Sequence, residues 1–110
     1  MTGPQLSELT EETFDAETSS GVVLIDFYAD WCQPCHVQKP ILQELAVEQA
    51  ARVAVKMVDV KTQPGLAARF AVSTVPLLLL LKEGKVVRRL SGVRRKRQLV
   101  EELNELSAQG

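Results

Sequence analysis

The run VVLIDFYA, Val22 to Ala29, constrains the fold more than any other stretch of the chain. It is almost continuously apolar and rich in β-branched and aromatic residues, the pattern of a strand buried on both faces. Such a strand needs a sheet with helices packed on each side. The flanking sequence supplies them. Gln5 and Leu6 read as a brief edge strand. Thr10 followed by Glu11 and Glu12 reads as an N-cap with acids in the first turn of a helix ending near Ser20 and Gly21.

From about Cys32 to Gln49, Val37, Ile41, Leu42, Leu45 and Ala46 form one stripe at helical spacing. Pro40 interrupts that helix and is predicted to kink it, because it has no N–H for the carbonyl of His36. Arg52 to Val60 reads as a second strand, with Met57 as core packing. Pro64 and Gly65 open a short helix with Leu66 and Phe70 four apart. Val75 to Leu81 and the run after Gly84 read as a hairpin, with Gly84 in the turn where positive φ is needed. A last helix is predicted from about Arg94 to Ser107, with Leu99, Leu103 and Leu106 inward. The order β-α-β-α-β-α-β-β-α implies an α/β chain with a mixed sheet flanked by helices.

Length and composition narrow the function classes. A chain of 110 residues fits one domain, residues 1–110, with a core large enough to need no staples. A net charge of −1 gives no reason to expect nucleic acid or an anionic membrane as partner. The longest apolar run, Val75 to Leu81, is far short of the roughly 20 residues a membrane span needs. The first twenty residues carry no basic n-region and no apolar h-region, so no secretory signal is expected and the chain reads as cytoplasmic.

The chain's two cysteines, Cys32 and Cys35, stand in WCQPCH directly after the buried strand. They close too small a loop to stabilise much through the unfolded state, and a cytosolic pair of this kind is usually catalytic or metal-binding. As C-x-x-C-H the motif is a c-type haem attachment pattern, with His36 as axial ligand. The second axial ligand would have to be Met1 or Met57, and the setting is α/β rather than helical. As a metal site, Cys32, Cys35 and His36 need further donors to complete a tetrahedron. The dithiol reading fits the geometry directly. Residues i and i+3 in a first helical turn sit about 5 Å apart at Cα, within disulfide range. The helix N-terminus favours thiolate at Cys32. Cys35, one turn inside, is expected to be the less exposed, resolving thiol, and Pro34 fixes φ early in the helix. Asp26 is out of place amid apolar residues. Either it is exposed on an edge strand, or it is a buried proton acceptor and donor for the thiol, its pKa raised by burial.

The set DFYADWCQPC, Pro40, VKMVDV, TVP and the glycines Gly84 and Gly92 resembles the thioredoxin family from about Leu6 to Leu106. The resemblance implies a thioredoxin fold, a mixed sheet of four to five strands with about four helices, acting as a monomeric protein-disulfide reductase. It implies Cys32 as nucleophile, Cys35 as resolving thiol, Asp26 as the buried acid and Lys56 as a lysine near it. It also implies Pro76 as a cis-proline, with Trp31, Gln33, Pro34, Thr74, Val75, Pro76, Gly92 and Val93 forming the docking surface for substrates. Val75 would pair with the extended client chain by β-strand addition. No cofactor or metal is implied beyond the redox-active Cys32–Cys35 disulfide itself. Partners are disulfide-bearing client proteins and a flavoprotein thioredoxin reductase that uses NADPH.

The chain departs from the usual pattern at four positions. Gln33 replaces the usual glycine, His36 a frequent lysine, Tyr28 a second tryptophan and Leu77 a threonine. His36 reads as a solvated surface residue or as a tuner of Cys32. The basic run Arg94 to Arg97, with Arg88 and Arg89, reads as a solvated face or as a docking patch for an acidic partner. A more oxidising oxidase or isomerase, and a redox-independent client-binding module, are the alternatives.

Overall fold

A computed structural model describes residues 5–108. Along the chain lie β1 (Ser7–Glu8), α1 (Phe14–Thr18), β2 (Val22–Tyr28), α2 (Gln33–Glu48), β3 (Ala54–Asp59), α3 (Pro64–Arg69), β4 (Leu77–Lys82), β5 (Lys85–Ser91) and α4 (Lys96–Ala108). The strands form one sheet in the order β1-β3-β2-β4-β5, which puts the run read first, now β2, at its centre. β1 and β2 each pair parallel to β3, whereas β2–β4 and β4–β5 are antiparallel. The α/β class and the mixed sheet flanked by helices are as the sequence led us to expect, with five strands and four helices among the described residues.

Strand alternation sorts side chains onto two faces. On one face Leu24, Val55, Met57, Leu78 and Leu80 pack with Leu42 and Leu45 of α2 and Leu99, Leu103 and Leu106 of α4. On the other, Val23, Ile25, Phe27, Val58, Leu77, Leu79 and Leu81 pack with Phe14 of α1 and Leu66 of α3. β4 reads LLLLLK because it meets a helix layer on both sides.

Several boundaries differ from the sequence reading for local reasons. The edge strand is Ser7–Glu8 rather than Gln5 and Leu6, in register with Lys56 and Met57. α1 is only five residues long, because Thr10 to Thr13 close a separate turn. There the Thr13 N–H donates to Thr10 Oγ1 at 3.2 Å and the Thr10 N–H to Thr13 Oγ1 at 3.0 Å, a reciprocal cap. β3 starts at Ala54, since the Arg52 and Val53 amides are still spent on the Gln49 carbonyl at the end of α2. β4 starts at Leu77, after a cis Val75–Pro76 bond. The β4–β5 turn has Glu83 at φ 51° and Gly84 at φ 80°, the two positive values of a type I′ hairpin. α2 runs continuously through Pro40. Among the described residues no helix is long and apolar enough to cross a membrane.

Candidate functional site

The site begins where β2 ends. Ala29 and Asp30 turn the chain out of the sheet, and Cys32 becomes the N-cap of α2 with extended backbone, φ −89° and ψ 110°. This conformation aims its Sγ back at the helix, where it accepts a hydrogen bond from the Cys35 N–H at 3.2 Å. An amide that the helix cannot satisfy internally is thus directed at sulfur, together with the positive end of the dipole. Pro34 occupies the first turn, where an N–H is not needed. Cys32 and Cys35 are joined as a disulfide with Cα atoms 5.3 Å apart.

Cys35 is not the more buried of the two: Cys32 is 3% exposed and Cys35 4%. Cys32 is covered because its amide donates to the Ala29 carbonyl at 3.2 Å and its sulfur lies 3.6 Å from the Val75 carbonyl oxygen. While the sulfur is in the disulfide it carries no proton, so that last approach is a contact; the free thiol has a proton to donate there. Val75 precedes the cis-proline, and Tyr28, Val60 and Val75 pack against the small buried cluster of Ala29, Cys32 and Cys35.

Around the disulfide the surface is apolar and open. Trp31 is 78% exposed, Gln33, Pro34, Thr74, Gly92 and Val93 are exposed, Val75 is half-buried, and Pro76 is buried beneath them. Trp31, Val60, Val72, Ser73, Thr74 and Val75 line a groove of about 320 Å³. The Gly92 N–H donates to the Pro76 carbonyl at 3.0 Å, which sets the 92–93 loop against the proline segment. The structure therefore brings the expected surface residues together. The sequence reading missed Val60, Val72 and Ser73 as groove wall. Nothing in their types distinguished them from ordinary loop residues.

Asp26 lies in the central strand with no exposed surface, which excludes the edge-strand reading. Neither carboxylate oxygen has a hydrogen-bond partner among the described residues. Burial, then the nearby Glu8 charge, push its pKa up to about 7, and Lys39 pulls against them. Glu8 is itself held by Tyr28, whose hydroxyl donates to Glu8 Oε2 at 2.8 Å. Burial and that carboxylate push the Tyr28 hydroxyl pKa well above its ordinary value.

Lys56 requires a correction. In the ladder Asp26 is opposite Met57, while Lys56 is opposite Ile25 and so projects from the other face of the sheet. Its Nζ pairs with Glu17 Oε1 at 3.1 Å. The lysine whose charge acts on Asp26 is Lys39 of α2. Tyr28, Asp30, Cys35, His36, Lys39 and Met57 line a small crevice of about 70 Å³ at the start of α2. The signal for Lys39 was its place one helical turn after Cys35.

His36 is exposed yet tethered: its Nε2 lies 2.7 Å from the Asp30 carbonyl, which can only accept, so the nitrogen donates. That bond ties the first turn of α2 to the loop bearing Trp31. Met57 is buried in the core, and Met1 lies outside the described residues. Among the described residues no group of three or more His, Cys, Asp or Glu side chains is arranged to hold a metal ion. The basic run is engaged only in part, and Arg95 and Arg97 stay exposed beside Gln98 and Glu101. Arg88 pairs with Glu102, Arg89 donates to the Phe70 and Ala71 carbonyls, Arg94 donates to the Ser91 carbonyl, and Lys96 pairs with Glu44 and Glu48 of α2.

Comparison with known proteins agrees with this geometry. The family model described as thioredoxin matches residues 5–105. The chain is 39% identical over 100 residues to a thioredoxin of Listeria monocytogenes, covering 91% of this chain and 97% of the relative. It is 41% identical over 96 residues to a thioredoxin of Bacillus subtilis, with 87% and 92% covered. To a thioredoxin of Mycobacterium tuberculosis it is 39% identical over 101 residues, with 90% and 87% covered.

Proposed function

The chain belongs to the thioredoxin family, and from that premise we propose that it reduces disulfides in client proteins by dithiol–disulfide exchange. It is a thiol–disulfide oxidoreductase, and the observation that carries this is the Cys32–Cys35 disulfide at the N-terminus of α2, with the Cys35 N–H aimed at Cys32 Sγ.

Cys32, as thiolate, attacks one sulfur of a client disulfide. The client S–S bond breaks, a Cys32–client bond forms, and one client sulfur leaves with the electron pair and takes up a proton. Cys35 then loses its proton and attacks Cys32 Sγ. The mixed disulfide breaks, the second client thiol is released, and Cys32–Cys35 is left oxidised, so that two electrons have passed to the client. Asp26 is the group assigned to take the Cys35 proton. A carboxyl with a pKa of about 7 has nearly equal amounts of acid and base at neutral pH, which suits a group that must accept and return a proton. Met57, its strand partner, and Cys35 both line the crevice beside α2, which supports that assignment. Lys56, on the opposite face, is given no part.

Docking falls to Trp31, Gln33, Pro34, Thr74, Val75, Pro76, Gly92 and Val93. An extended client segment lies along the backbone at Val75, and main-chain bonds there give affinity with little dependence on sequence. Regeneration of the dithiol is assigned to a flavoprotein thioredoxin reductase drawing on NADPH. The same reading makes the protein a cytoplasmic monomer of one domain, since a reducing compartment keeps the dithiol available.

The equilibrium potential of the Cys32–Cys35 pair, titrated against dithiol redox buffers, tests the direction of transfer. A value near the roughly −270 mV typical of thioredoxins is expected. A value between about −180 and −120 mV would identify an oxidant or isomerase instead. In parallel, Cys35→Ser should accumulate a mixed disulfide through Cys32 with a disulfide-bearing protein. Full client activity in both Cys32→Ser and Cys35→Ser would leave only a binding module.

A further inference from the structure

Gln38 is a polar residue in a core position. It sits on α2 one turn beyond Cys35, in line with Leu42 and Leu45, and has no exposed surface. An amide that deep costs stability unless both its ends are bonded. Both are, and to the same residue: Gln38 Nε2 donates to the Arg94 carbonyl at 3.0 Å, and the Arg94 N–H donates to Gln38 Oε1 at 2.7 Å. The side chain thereby grips the backbone of the segment between β5 and α4 as a neighbouring strand would. Two residues earlier in that segment, Gly92 stands at φ +82° and its N–H donates to the Pro76 carbonyl. The loop is pinned on one side to the proline beside the disulfide and on the other to the helix that carries the cysteines. Val93, between the two pins, is held outward at 37% exposure.

We propose that Gln38 is a positioning residue for client docking: its two-point grip on Arg94 sets where Gly92 and Val93 stand beside the disulfide, and so sets affinity for protein clients. This rests on the disulfide-exchange reading above. Gln38 does not touch the sulfurs, so it acts on docking and not on the exchange step. An apolar residue would fill the same core site, yet it would leave the Arg94 N–H and carbonyl without these partners and the loop free to shift.

The test is Gln38→Met, similar in length and without either bond, assayed with a protein disulfide and with a small aromatic disulfide that needs no docking surface. The expected result is a KM for the protein disulfide raised about tenfold, as loss of two net hydrogen bonds implies. Its kcat, the rate with the small disulfide and the potential of the cysteine pair should be unchanged. Gln38→Glu keeps the acceptor for the Arg94 N–H and should fall between. Val93→Ala should raise the same KM, and in the double variant Gln38→Met/Val93→Ala the two effects should not add. An unchanged KM, an equal loss with both substrates or strict additivity overturns the proposal. Should Gln38→Met not fold, Gln38→Glu with its intermediate KM and slow hydrogen exchange at the Arg94 amide of the unaltered protein carry the test. Unprotected exchange there, or a KM equal to that of the unaltered protein in Gln38→Glu, overturns it. Failure of the exchange reading itself is distinct, because the unaltered protein would then reduce neither substrate.

Discussion

Asp26 and its neighbours show how far single residues could be read from the sequence. A carboxylate inside VVLIDFYA announced itself because a buried charge has no ordinary reason to be there. Its charged surroundings were harder to read, since they depend on strand register, and a one-residue offset moves a side chain to the opposite face of a sheet. Lys56 is opposite Ile25, and it is Met57 that is opposite Asp26. Three charged groups bear on the comparison: Glu8 raises the Asp26 pKa, Lys39 lowers it, and Lys56 is committed to Glu17 on the far side. We therefore expect Lys39→Met to raise the Asp26 pKa and Glu8→Gln to lower it, with Lys56→Met leaving it in place. Carbon-13 NMR titration of the carboxyl carbon in the three variants reads this directly. A shift in Lys56→Met equal to that in Lys39→Met would return the role to Lys56.

Among the elements, those with long apolar patterns were read to within two residues at their ends, while α1 and β1 were displaced because short polar segments carry little periodic signal. What decided their limits was side-chain capping, as between Thr10 and Thr13, and pairing with a distant strand, as between Glu8 and Met57. The hairpin is the opposite case. Gly84 was legible as a turn because tight hairpins need positive φ, and it adopts φ 80°. The nearest atoms to a Cβ built there are ordinary contacts at 3.7 Å, so backbone conformation alone sets the cost of adding one. Gly84→Ala should cost roughly 1–2 kcal/mol, the penalty for a left-handed non-glycine residue. At about 4–8 °C per kcal/mol, a melting temperature lower by roughly 5–15 °C is expected. Disulfide exchange at 25 °C should be unaffected, since the turn is at the end of β4 away from Pro76. A melting temperature within a degree of the unaltered protein would show that the turn relaxes without strain.

Across the whole molecule, the layered α/β arrangement followed from strands that had to be covered twice, but the order β1-β3-β2-β4-β5 did not, because pairing partners are set by packing between segments remote in sequence. That order places Asp26 at the centre of the sheet, and stability then becomes linked to its proton. Its carboxyl pKa is raised by folding from 3.8 to about 7, so between those values the folded chain holds a proton that the unfolded chain has released. Stability is therefore fully retained below about pH 4, falls as pH rises toward 7, and is constant above that as far as this group is concerned. At about 1.36 kcal/mol per pKa unit the loss is on the order of 4 kcal/mol, a large part of the roughly 5–15 kcal/mol that stabilises a domain. Asp26→Asn removes the titration while keeping the shape. It should leave stability nearly unchanged at pH 4 and raise it by up to about 4 kcal/mol at pH 8, while slowing release of the client from the mixed disulfide. Denaturant midpoints at both pH values, with unchanged m, measure the first effect, and the decay of the Cys32–client adduct measures the second. A gain equal at pH 4 and pH 8 would mean that Asp26 is not ionised at a cost in the folded protein. A gain confined to high pH, together with a slowed second step, would mean that the molecule retains a destabilising charge at its centre because the resolving thiol needs somewhere to leave its proton.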